Sequence, residues 1–489
     1  MKTYEDYLKE TGEVGSIQSI VQSIVYVSGL PGVRPKEMVI AEGGQRGIVQ
    51  SLEPDFAEVL MLDTHDLVSN LSVARTNETF TIAAGEGLLG RVVDPFSRPL
   101  DGAGPVRGEK QYRPIEPPAP GIDVRSRVDR PLETGVTIVD LLVPVGYGQR
   151  ELVIGDKKTG KTTFLLQTMA NQAAKGIICI YVSIGKRQDD VKIVENYLRT
   201  KNVLNNCVIV SAGASDPATM VYLSPYTGLA IAENFRDEGR DVLIVFDDLT
   251  NHAKFYREIS LLLKRSPGRS SYPGDIFHVH AALLERVGNI KNSSGKNVSI
   301  TALPVAETLE GDLAGYIQTN LMAITDGHIF FDIDEFRKGA RPAINPALSV
   351  SRVGNQTKSP LDREIAQLVR EDLAKYHRSL DIARFGVELP EKTRAEIEVG
   401  EKIGVIFNQD AASIVPITLQ LILLGLLLSG FWSGKNASLV KVDVIKLIQK
   451  QRKGLIANLE KQVLGVKSAA ELSSIVKSSQ KKVMEVLYV

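Results

Sequence analysis

The sequence is poor in cysteine and has no excess of either charge. Cys179 and Cys207 are the only cysteines among 489 residues, and both lie in apolar stretches. A disulfide framework is therefore excluded, and we expect two buried thiols in a protein of a reducing compartment. The 58 basic and 58 acidic side chains cancel, which excludes a global attraction to nucleic acid or to an anionic membrane surface. We expect no nucleic-acid partner.

The first residues lack the pattern of a targeting peptide. Residues 1–11 contain no apolar core flanked by basic residues, and they include Glu5, Asp6 and Glu10. Secretory and organelle-targeting peptides avoid this composition, so we expect an intracellular chain without a targeting peptide. The length of 489 residues exceeds that of one ordinary domain and predicts about two to four.

One long run without charge has two possible explanations. Residues Ile414 to Trp432 contain no charged side chain, and the run is long enough to cross a bilayer. However, Pro416, Gln420 and Ser429 interrupt it, and a buried helix in a helical bundle accounts for the same residues. We prefer the buried helix and predict that the chain is not itself transmembrane.

The secondary-structure patterns predict three domains. Residues 1–84 contain short β-rich runs separated by glycine or polar turns, which predict an N-terminal β-barrel. In residues 85–356 apolar strands alternate with helical patterns, as expected for a central α/β domain. Residues 357–489 show charged helical periodicity and predict a C-terminal α-helical domain. The predicted strands of the barrel region are Ser23–Val27, Glu37–Ala41, Gly47–Leu52, Glu58–Leu62 and Thr79–Ala83.

The most informative motif lies between a predicted strand and a predicted helix. The residues Gly155, Asp156, Lys157, Lys158, Thr159, Gly160, Lys161 and Thr162 match the P-loop pattern, with Thr163 continuing into the helix. The glycines let backbone N–H groups surround phosphates, Lys161 can reach the β- and γ-phosphates, and the Thr162 hydroxyl can hold Mg²⁺. The sequence therefore predicts a site for ATP or ADP with Mg²⁺, formed by these nine residues.

A buried strand that ends in an acid is the second element of such a site. Val242–Phe246 is followed by Asp247 and Asp248. We predict Asp247 in the Mg²⁺ shell and leave two roles open for Asp248, orienting a water or capping the next helix. Hydrolysis also needs a group that polarises the attacking water. Another predicted strand ends in Lys186 and Arg187, which cannot accept a proton at neutral pH, so the predicted site has no evident base.

Further motifs on both sides of the P-loop resemble the α subunit of F-type ATP synthases. The matching stretches are Leu88–Asp94, Leu142–Leu152, Asp247–Leu249, Ser260–Arg265, Pro267–Arg269, Tyr272–Asp275, Leu283–Arg286, Thr301–Pro304, Ile324–Gly327, Arg341–Pro346 and Ser349–Gly354. The resemblance is strong over residues 85–356, weaker in the barrel region and loosest in the helical domain.

This resemblance implies a RecA-like central domain and a place in an alternating α₃β₃ ring. The implied partners are the catalytic β subunit and a γ-like central-stalk subunit, with a δ-like peripheral-stalk subunit as a further candidate. In this family the α sites bind Mg-nucleotide without turning it over. Catalytic β subunits have Gly-Glu-Arg where α subunits usually have Gly-Gln, and this chain has Gly185 and Lys186. The absence of an evident water-activating base from the predicted site agrees with an α site that binds nucleotide without turning it over.

The resemblance also assigns roles to three residues outside the P-loop. The arginine that matches Arg352 reaches across the interface toward the γ-phosphate bound by β, and an arginine supplied in this way is worth about 10³ to 10⁵ in rate. Ser349 falls at a position that the family needs for activity. Gln409 is the one adenine-contacting glutamine that remains, because Phe407 aligns with the other.

Several positions depart from the family pattern. Lys157 and Lys158 stand where α subunits commonly have Arg-Gln, so contacts to phosphate and Mg²⁺ are expected to differ. The chain also begins close to the barrel, so we expect a short version of the N-terminal segment that members of the resembling family use to bind the peripheral stalk. These departures suggest a divergent lineage or a specialised rotary complex.

Together these features predict the non-catalytic, regulatory α subunit of a rotary F-type ATP synthase or ATPase. We expect a peripheral subunit on the cytoplasmic face of a membrane, with little ATPase activity of its own, in a complex that couples ATP synthesis or hydrolysis to ion transport. The alternative is a self-sufficient homohexameric P-loop motor, such as a protein-export ATPase or an RNA translocase. Such a motor needs its own catalytic glutamate, and Lys186 stands at that position.

Overall fold

The computed structural model describes residues 2–292, 294–383 and 390–488, which form two compact units. One unit contains residues 1–126, 176–306 and 314–324, and the other contains residues 127–175, 307–313 and 325–489. The elements confirm the predicted fold class of barrel, α/β region and helical region. The predicted domain boundaries after residues 84 and 356 remain predictions.

Strands and helices are numbered in chain order. The strands are β1 (Val14–Val21), β2 (Ile24–Ser28), β3 (Glu37–Ala41), β4 (Arg46–Leu52), β5 (Ala57–Met61), β6 (Ser72–Thr79), β7 (Thr81–Ala84), β8 (Val92–Val93), β9 (Gln111–Pro114), β10 (Pro131–Leu132), β11 (Val145–Gly146), β12 (Glu151–Gly155), β13 (Ile178–Lys186), β14 (Cys207–Gly213), β15 (Val242–Asp247), β16 (Gly288–Lys291), β17 (Asn297–Glu307), β18 (Gly327–Phe331) and β19 (Val350–Ser351). The helices are α1 (Tyr4–Thr11), α2 (Thr137–Leu142), α3 (Lys161–Ala174), α4 (Gln188–Thr200), α5 (Ala218–Asp237), α6 (Leu249–Leu262), α7 (Ile276–Glu285), α8 (Tyr316–Ile324), α9 (Ile333–Arg337), α10 (Pro360–Ala383), α11 (Glu391–Phe407), α12 (Ile417–Leu428), α13 (Ala437–Arg452), α14 (Ala457–Val463), α15 (Ala469–Ser478) and α16 (Gln480–Tyr488).

The N-terminal barrel is closed. Its six strands follow one another in the order β1-β2-β5-β4-β3-β6, and antiparallel pairing of β1 with β6 joins the two ends. Branched side chains from alternate positions fill the interior, and among them Ile17, Val25, Val39, Val49 and Val59 have no exposed surface. Closure removes the unpaired edges that an open sheet would leave. The predicted barrel is confirmed.

Five parallel strands form the centre of the same unit. They lie in the order β17-β15-β13-β14-β8, with β16 antiparallel to β17. Cys179 on β13 lies opposite Cys207 on β14, and both are buried free thiols, as predicted. Helix α5 lies close to β13 because Gly228 has no side chain: a Cβ there would come 2.3 Å from Val182 Cγ2. The carboxyl ends of β13 and β15 bring Lys186 and Asp247 to one edge.

In the other unit, three strands carry the P-loop. Strand β12 pairs in parallel with β18, and β18 pairs antiparallel with β19. All five residues of β12 are buried. In α/β proteins, the loop between the end of such a strand and the following helix is the usual phosphate site. Here the loop after β12 leads into α3, whose inner face is buried by residues such as Phe164 and Leu165.

The uncharged run Ile414 to Trp432 forms a buried helix, as predicted. Helix α12 (Ile417–Leu428) is buried from Leu419 to Leu426, and it approaches α15 closely, since a Cβ on Gly425 would come 2.8 Å from Val476 Cγ2. Within the described ranges, no helix combines the length and apolar character needed to cross a membrane.

Two buried histidines lie side by side in the unit that contains the barrel, and we expect them to make its stability sensitive to acid. His252 Nδ1 lies 3.1 Å from His280 Nε2, and His252 Nε2 lies 3.0 Å from the Tyr222 carbonyl. Burial lowers the pKa of His252 to about 4 and the pKa of His280 well below its usual value. Unfolded histidines titrate near 6.5, so the unfolded state takes up protons first as the pH falls. The contribution of the two histidines to the free energy of unfolding should be fully present above about pH 6.5. It should fall by about 1.4 kcal/mol per pH unit for each histidine as the pH is lowered toward 4.

Urea unfolding followed by circular dichroism at about pH 7.5 and pH 5 checks this expectation. The variant His280→Asn should reduce the pH dependence, whereas His278→Asn, an exposed position on the same helix, should leave it unchanged. An undiminished slope in His280→Asn would show that other groups control the acid response.

Candidate nucleotide-binding site

Two glycines shape the P-loop for different reasons. Gly155 ends β12 with φ of 156°, and a Cβ there would come 2.3 Å from the Phe331 carbonyl oxygen on the neighbouring strand. Gly160 precedes α3 with φ of 101°, in a conformation that favours glycine, and no side chain caps the helix. The N–H groups of the first turn of α3 are therefore available to an anion.

Lys161 is the first residue of α3 and folds back over the loop. Its Nζ donates to the carbonyl oxygens of Gly155 at 2.8 Å and of Asp156 at 2.7 Å, and the residue is only 8% exposed. Thr159 Oγ1 also donates to the Asp156 carbonyl, at 2.8 Å. A phosphate oxygen is a stronger acceptor than a carbonyl, so a bound nucleotide would compete well for the Lys161 ammonium.

The loop is anchored through Asp156. The carboxylate Oδ1 accepts hydrogen bonds from Thr308 Oγ1 at 2.5 Å and from Gly311 N at 3.0 Å. Lys157, by contrast, is exposed and lies 3.5 Å from a Glu307 carboxylate oxygen. The neighbouring Lys158 and Thr162 are also exposed, and Thr163 is half-buried at the start of α3. The nine predicted residues therefore form the segment that joins the end of β12 to the first turn of α3.

A cavity of about 700 Å³ opens beside the loop within the same unit. Lys158, Gly160 and Thr163 line its loop side, and Phe336 and Arg341 lie among the other lining residues. The Arg341 guanidinium carbon is 3.6 Å from the centre of the Phe336 ring. Flat aromatic and guanidinium groups suit a planar ring, so this cavity has room and chemistry for a nucleobase. Arg341 belongs to the stretch Arg341–Pro346, on which the family resemblance partly rests. Nothing in the sequence indicated that Phe336 would line this cavity.

Gln409 lines the cavity, yet its amide group is already occupied. Nε2 donates to the carbonyl oxygens of Gly135 at 2.7 Å and Ser413 at 2.6 Å. Oε1 accepts from Thr137 N at 3.2 Å and Thr137 Oγ1 at 3.3 Å. Both donors and both acceptor positions are thus used to hold two chain segments together. Direct contact with adenine remains a prediction, and the observed contacts assign Gln409 a supporting role.

The acids at the end of β15 are bound to a lysine. Lys186 Nζ lies 2.9 Å from Asp247 Oδ1 and 3.1 Å from Asp248 Oδ2. Asp248 Oδ1 accepts from Asn251 N at 2.7 Å and caps α6, so the structure shows the capping role of the two that the sequence left open. Burial alone would lower the pKa of Lys186, but the two carboxylates outweigh it and raise that pKa. Lys186 is thus an ammonium at neutral pH.

Asp247 does not fit the role of a metal ligand as it stands. Its other oxygen, Oδ2, accepts the Tyr181 hydroxyl hydrogen, so both oxygens are engaged. No group of three or more histidine, cysteine, aspartate or glutamate side chains is arranged to hold a metal ion in the part of the chain that the structure describes. Thr162 is exposed at the start of α3, but the predicted Asp247 contribution conflicts with the Lys186 ion pair.

Arg352 follows strand β19 and is exposed. Its backbone N–H donates to the Asp326 carbonyl at 3.0 Å, while its guanidinium forms no ion pair with any residue in the described ranges. Ser349 fixes the segment before it: Ser349 Oγ donates to the Asn345 carbonyl at 2.6 Å and accepts from Phe330 N at 3.0 Å. Ser349 therefore holds the chain that presents Arg352.

Comparison with known proteins gives the family. The ATP synthase alpha/beta family matches in two parts, the nucleotide-binding domain over residues 135–351 and the C-terminal domain over residues 356–479. The chain belongs to the ATP synthase alpha/beta family. Similar chains are ATP synthase α subunits: one from Neorickettsia sennetsu is 39% identical over 94% of this chain and 92% of its own length. Another from Macrococcus caseolyticus is 43% identical over 88% of this chain and 85% of its own length.

Within the ATP synthase alpha/beta family the chain is an α subunit of the F type, as the resemblance indicated. A third relative, the α subunit of a Sulfurovum species, is 42% identical over 85% of this chain. The homohexameric motor is not favoured, since these relatives are ATP synthase subunits. The nucleotide-binding match includes the P-loop, Asp247 and Ser349, whereas Arg352 lies immediately after its end.

A network of half-buried and buried residues next to Arg352 in this α-type chain was not predicted from the sequence. Asp326, whose carbonyl accepts from Arg352, forms a two-pronged ion pair with Arg150, at 2.8 Å for Nη2 to Oδ1. Beside it, Gln149 Nε2 donates to Glu151 Oε2 at 2.6 Å and to Ser351 Oγ at 3.2 Å. These residues come from three separated segments, so no local pattern could have grouped them. They fix β19 and thereby the backbone of Arg352.

Proposed function

We propose that this chain is the non-catalytic, nucleotide-holding subunit of an alternating α₃β₃ ring. In this proposal the P-loop residues from Gly155 to Thr163 hold ATP or ADP, and Arg352 acts on a nucleotide bound by the neighbouring β subunit. The ring would couple ATP synthesis or hydrolysis to ion transport. The chain contributes regulation and one catalytic side chain in trans, rather than turnover of its own nucleotide.

The observation that carries this proposal is the ion pair of Lys186 with Asp247 and Asp248. A water-activating group must accept a proton, and the residue at the end of β13 is an ammonium that cannot. The carboxylates of Asp247 and Asp248 are already bound by that ammonium and by other donors. A chain that has a P-loop, and whose β13 ends in an ammonium rather than a base, supports nucleotide binding without hydrolysis.

Nucleotide binding itself is supported by the loop and its cavity. Lys161 and the open N-terminus of α3 offer positive charge and N–H donors to phosphates. Arg341 and Phe336 line the cavity of about 700 Å³, which suits the base. For Mg²⁺, Thr162 remains a candidate ligand, but the contacts of Asp247 disagree with its predicted part, and no step of the proposal depends on the metal.

The partners follow from family membership and are part of the proposal. They are the catalytic β subunit, a γ-like central-stalk subunit and, as a further candidate, a δ-like peripheral-stalk subunit. The chain would then lie at the cytoplasmic face of a membrane as a peripheral subunit.

Reconstitution tests the proposal directly. The purified chain should bind ATP with little turnover, and mixing it with its β partner should give an assembly that hydrolyses ATP. Subunit masses of the purified complex should show the chain and a β-like chain in equal amounts. Steady ATP hydrolysis by the chain alone, at rates comparable to the assembly, would refute the non-catalytic role.

Removing the Lys161 ammonium is expected to weaken ATP binding to the isolated chain. A hydrogen bond to a charged group contributes about 1.5–3 kcal/mol, so Lys161→Ala should raise the Kd for ATP about tenfold to a hundredfold. Isothermal titration calorimetry measures the change. The matched control is Lys157→Ala on the same loop, where the side chain is 70% exposed and the Kd should change little. Equal effects of the two variants would contradict the predicted role of Lys161.

A further inference from the structure

All four carboxylate oxygens of Asp247 and Asp248 have partners inside the protein. Lys186 Nζ pairs with Asp247 Oδ1 and Asp248 Oδ2 at 2.9 and 3.1 Å. The Tyr181 hydroxyl occupies Asp247 Oδ2, and Asn251 N occupies Asp248 Oδ1. The two acids are almost fully buried, with side-chain exposures of 5% and 0%. One ammonium thus stands between two buried carboxylates.

The backbone places Lys186 at this position. Strand β13 runs parallel to β15 with Ser183 opposite Asp247, and β13 continues three residues further. Gly185 adopts φ of 63°, and a Cβ there would come 2.6 Å from Phe255 Cε2, so glycine is required at this bend. The bend is followed by Lys186, whose side chain spans from the end of β13 to the end of β15. The contact is therefore built into the strand geometry.

We propose that Lys186 is a built-in cation that takes the place of a divalent metal at Asp247 and Asp248. The end of β15 then binds no Mg²⁺. This inference does not depend on the proposed function.

The electrostatic reason is direct. Mg²⁺ needs carboxylate oxygens at about 2.0–2.1 Å and gives up its water reluctantly. To reach Asp247 it must displace an ammonium from a buried ion pair, which would leave that ammonium beside a doubly positive ion. Removing one partner of a buried pair is strongly unfavourable. A divalent ion therefore competes poorly for Asp247 and Asp248 while Lys186 is present. When the ammonium is removed, the two carboxylates become available to the ion.

Metal binding to the nucleotide-free chain tests this proposal. Mn²⁺, which binds Mg²⁺ sites and is visible by electron paramagnetic resonance, is titrated into wild-type chain and Lys186→Gln. The wild type should show no saturable binding up to about 1 mM, whereas Lys186→Gln should bind Mn²⁺ at least about tenfold more tightly. Mg²⁺ should also raise the Tm of Lys186→Gln by roughly 2 °C or more and leave the wild-type Tm unchanged.

Two controls keep this test decisive. Lys192→Gln removes a lysine from α4 that is 64% exposed and pairs with Glu195, and it should not change the metal response. The wild-type chain alone also decides the matter if Lys186→Gln does not fold: saturable Mn²⁺ binding that disappears in Asp247→Asn would overturn the proposal. A folded Lys186→Gln that gains no affinity for Mn²⁺ would overturn it as well.

Discussion

Replacing Arg352 by alanine in the assembled ring is expected to lower ATP hydrolysis by about 10³- to 10⁵-fold. In the transition state of phosphoryl transfer, negative charge spreads over the equatorial oxygens, and a guanidinium from a neighbouring subunit stabilises that charge. The same replacement should not change the Kd for ATP of the isolated chain, because Arg352 belongs to a different segment from the P-loop. Steady-state hydrolysis of the ring and calorimetry of the chain measure the two effects.

Two further variants separate a catalytic role of Arg352 from a general effect of positive charge and from an effect on ring assembly. Arg337→Ala removes a surface arginine that is 72% exposed and pairs with Asp334 on its own helix, so ring hydrolysis should be nearly unchanged. Arg352→Lys keeps a positive charge but loses the planar fork, and should recover little of the rate. If Arg352→Ala and Arg337→Ala had similar rates in rings of equal subunit content, the finger role would be wrong.

The structure shows how the backbone of the exposed Arg352 is held in place. Its backbone is bound by the Asp326 carbonyl, and the Asp326 carboxylate is fixed by Arg150. On the preceding residues, Ser349 bonds to both Asn345 and Phe330. Rigid support of this kind reduces the ordering cost when the guanidinium meets an oxygen. Ser349→Ala should therefore resemble a weak version of the Arg352 replacement.

The sequence predicted the elements whose signals are local. The P-loop lies between a strand and a helix, as predicted, because a motif of glycines and Lys161 lies between an apolar run and a run with helical character. Strand β3 was predicted with the bounds that the structure shows. The buried helix α12 was chosen over a membrane span because polar residues interrupt the run, and the structure confirmed that choice.

The predictions were weaker where the folding signal is not local. Strands β1 and β6, which close the barrel, were not predicted, since β6 reads Ser-Val-Ala-Arg-Thr-Asn-Glu-Thr and is stabilised by pairing with β1 and β3. The predicted strand Thr79–Ala83 corresponds mainly to β7, which pairs with β9 outside the barrel. Pattern alone cannot show which partner completes a sheet.

The candidate site shows the same division between local and distant information. Lys186 was recognised as a residue that cannot act as a base, but its pairing with Asp247 joins residues about sixty positions apart in the chain and could not be read from spacing. The family resemblance indicates Gln409, whereas its four contacts to Gly135, Thr137 and Ser413 are visible only in the fold. The chemistry of each residue was predictable from the sequence, whereas its contact partners in the fold were not.

The second large effect is expected for stability, from replacing Arg286 by methionine. Arg286 and Glu233 form a two-pronged ion pair at 2.9 and 2.7 Å, with side-chain exposures of only 3% and 7%. Arg286 Nη1 also donates to the Ile115 carbonyl at 2.6 Å. The variant leaves Glu233 as a buried, unpaired carboxylate, and we expect it to cost about 3–5 kcal/mol. Hydrogen exchange of peptides from α5 and α7 measures the loss locally, which matters because the only tryptophan, Trp432, lies in the other unit.

A double variant tells whether the cost comes from the lost attraction or from the stranded charge. Replacing Arg286 by methionine together with Glu233 by leucine removes both charges and fills similar volume. Since the desolvation of a buried pair offsets most of its attraction, this variant should regain most of the stability that Arg286→Met alone loses. The exposed pair of Arg240 and Glu86 provides the contrast, because breaking it should cost less than about 1 kcal/mol. If the double variant were as unstable as the single one, the hydrogen bond to Ile115 and the packing of the guanidinium would have to supply the stability, and the ion pair would not.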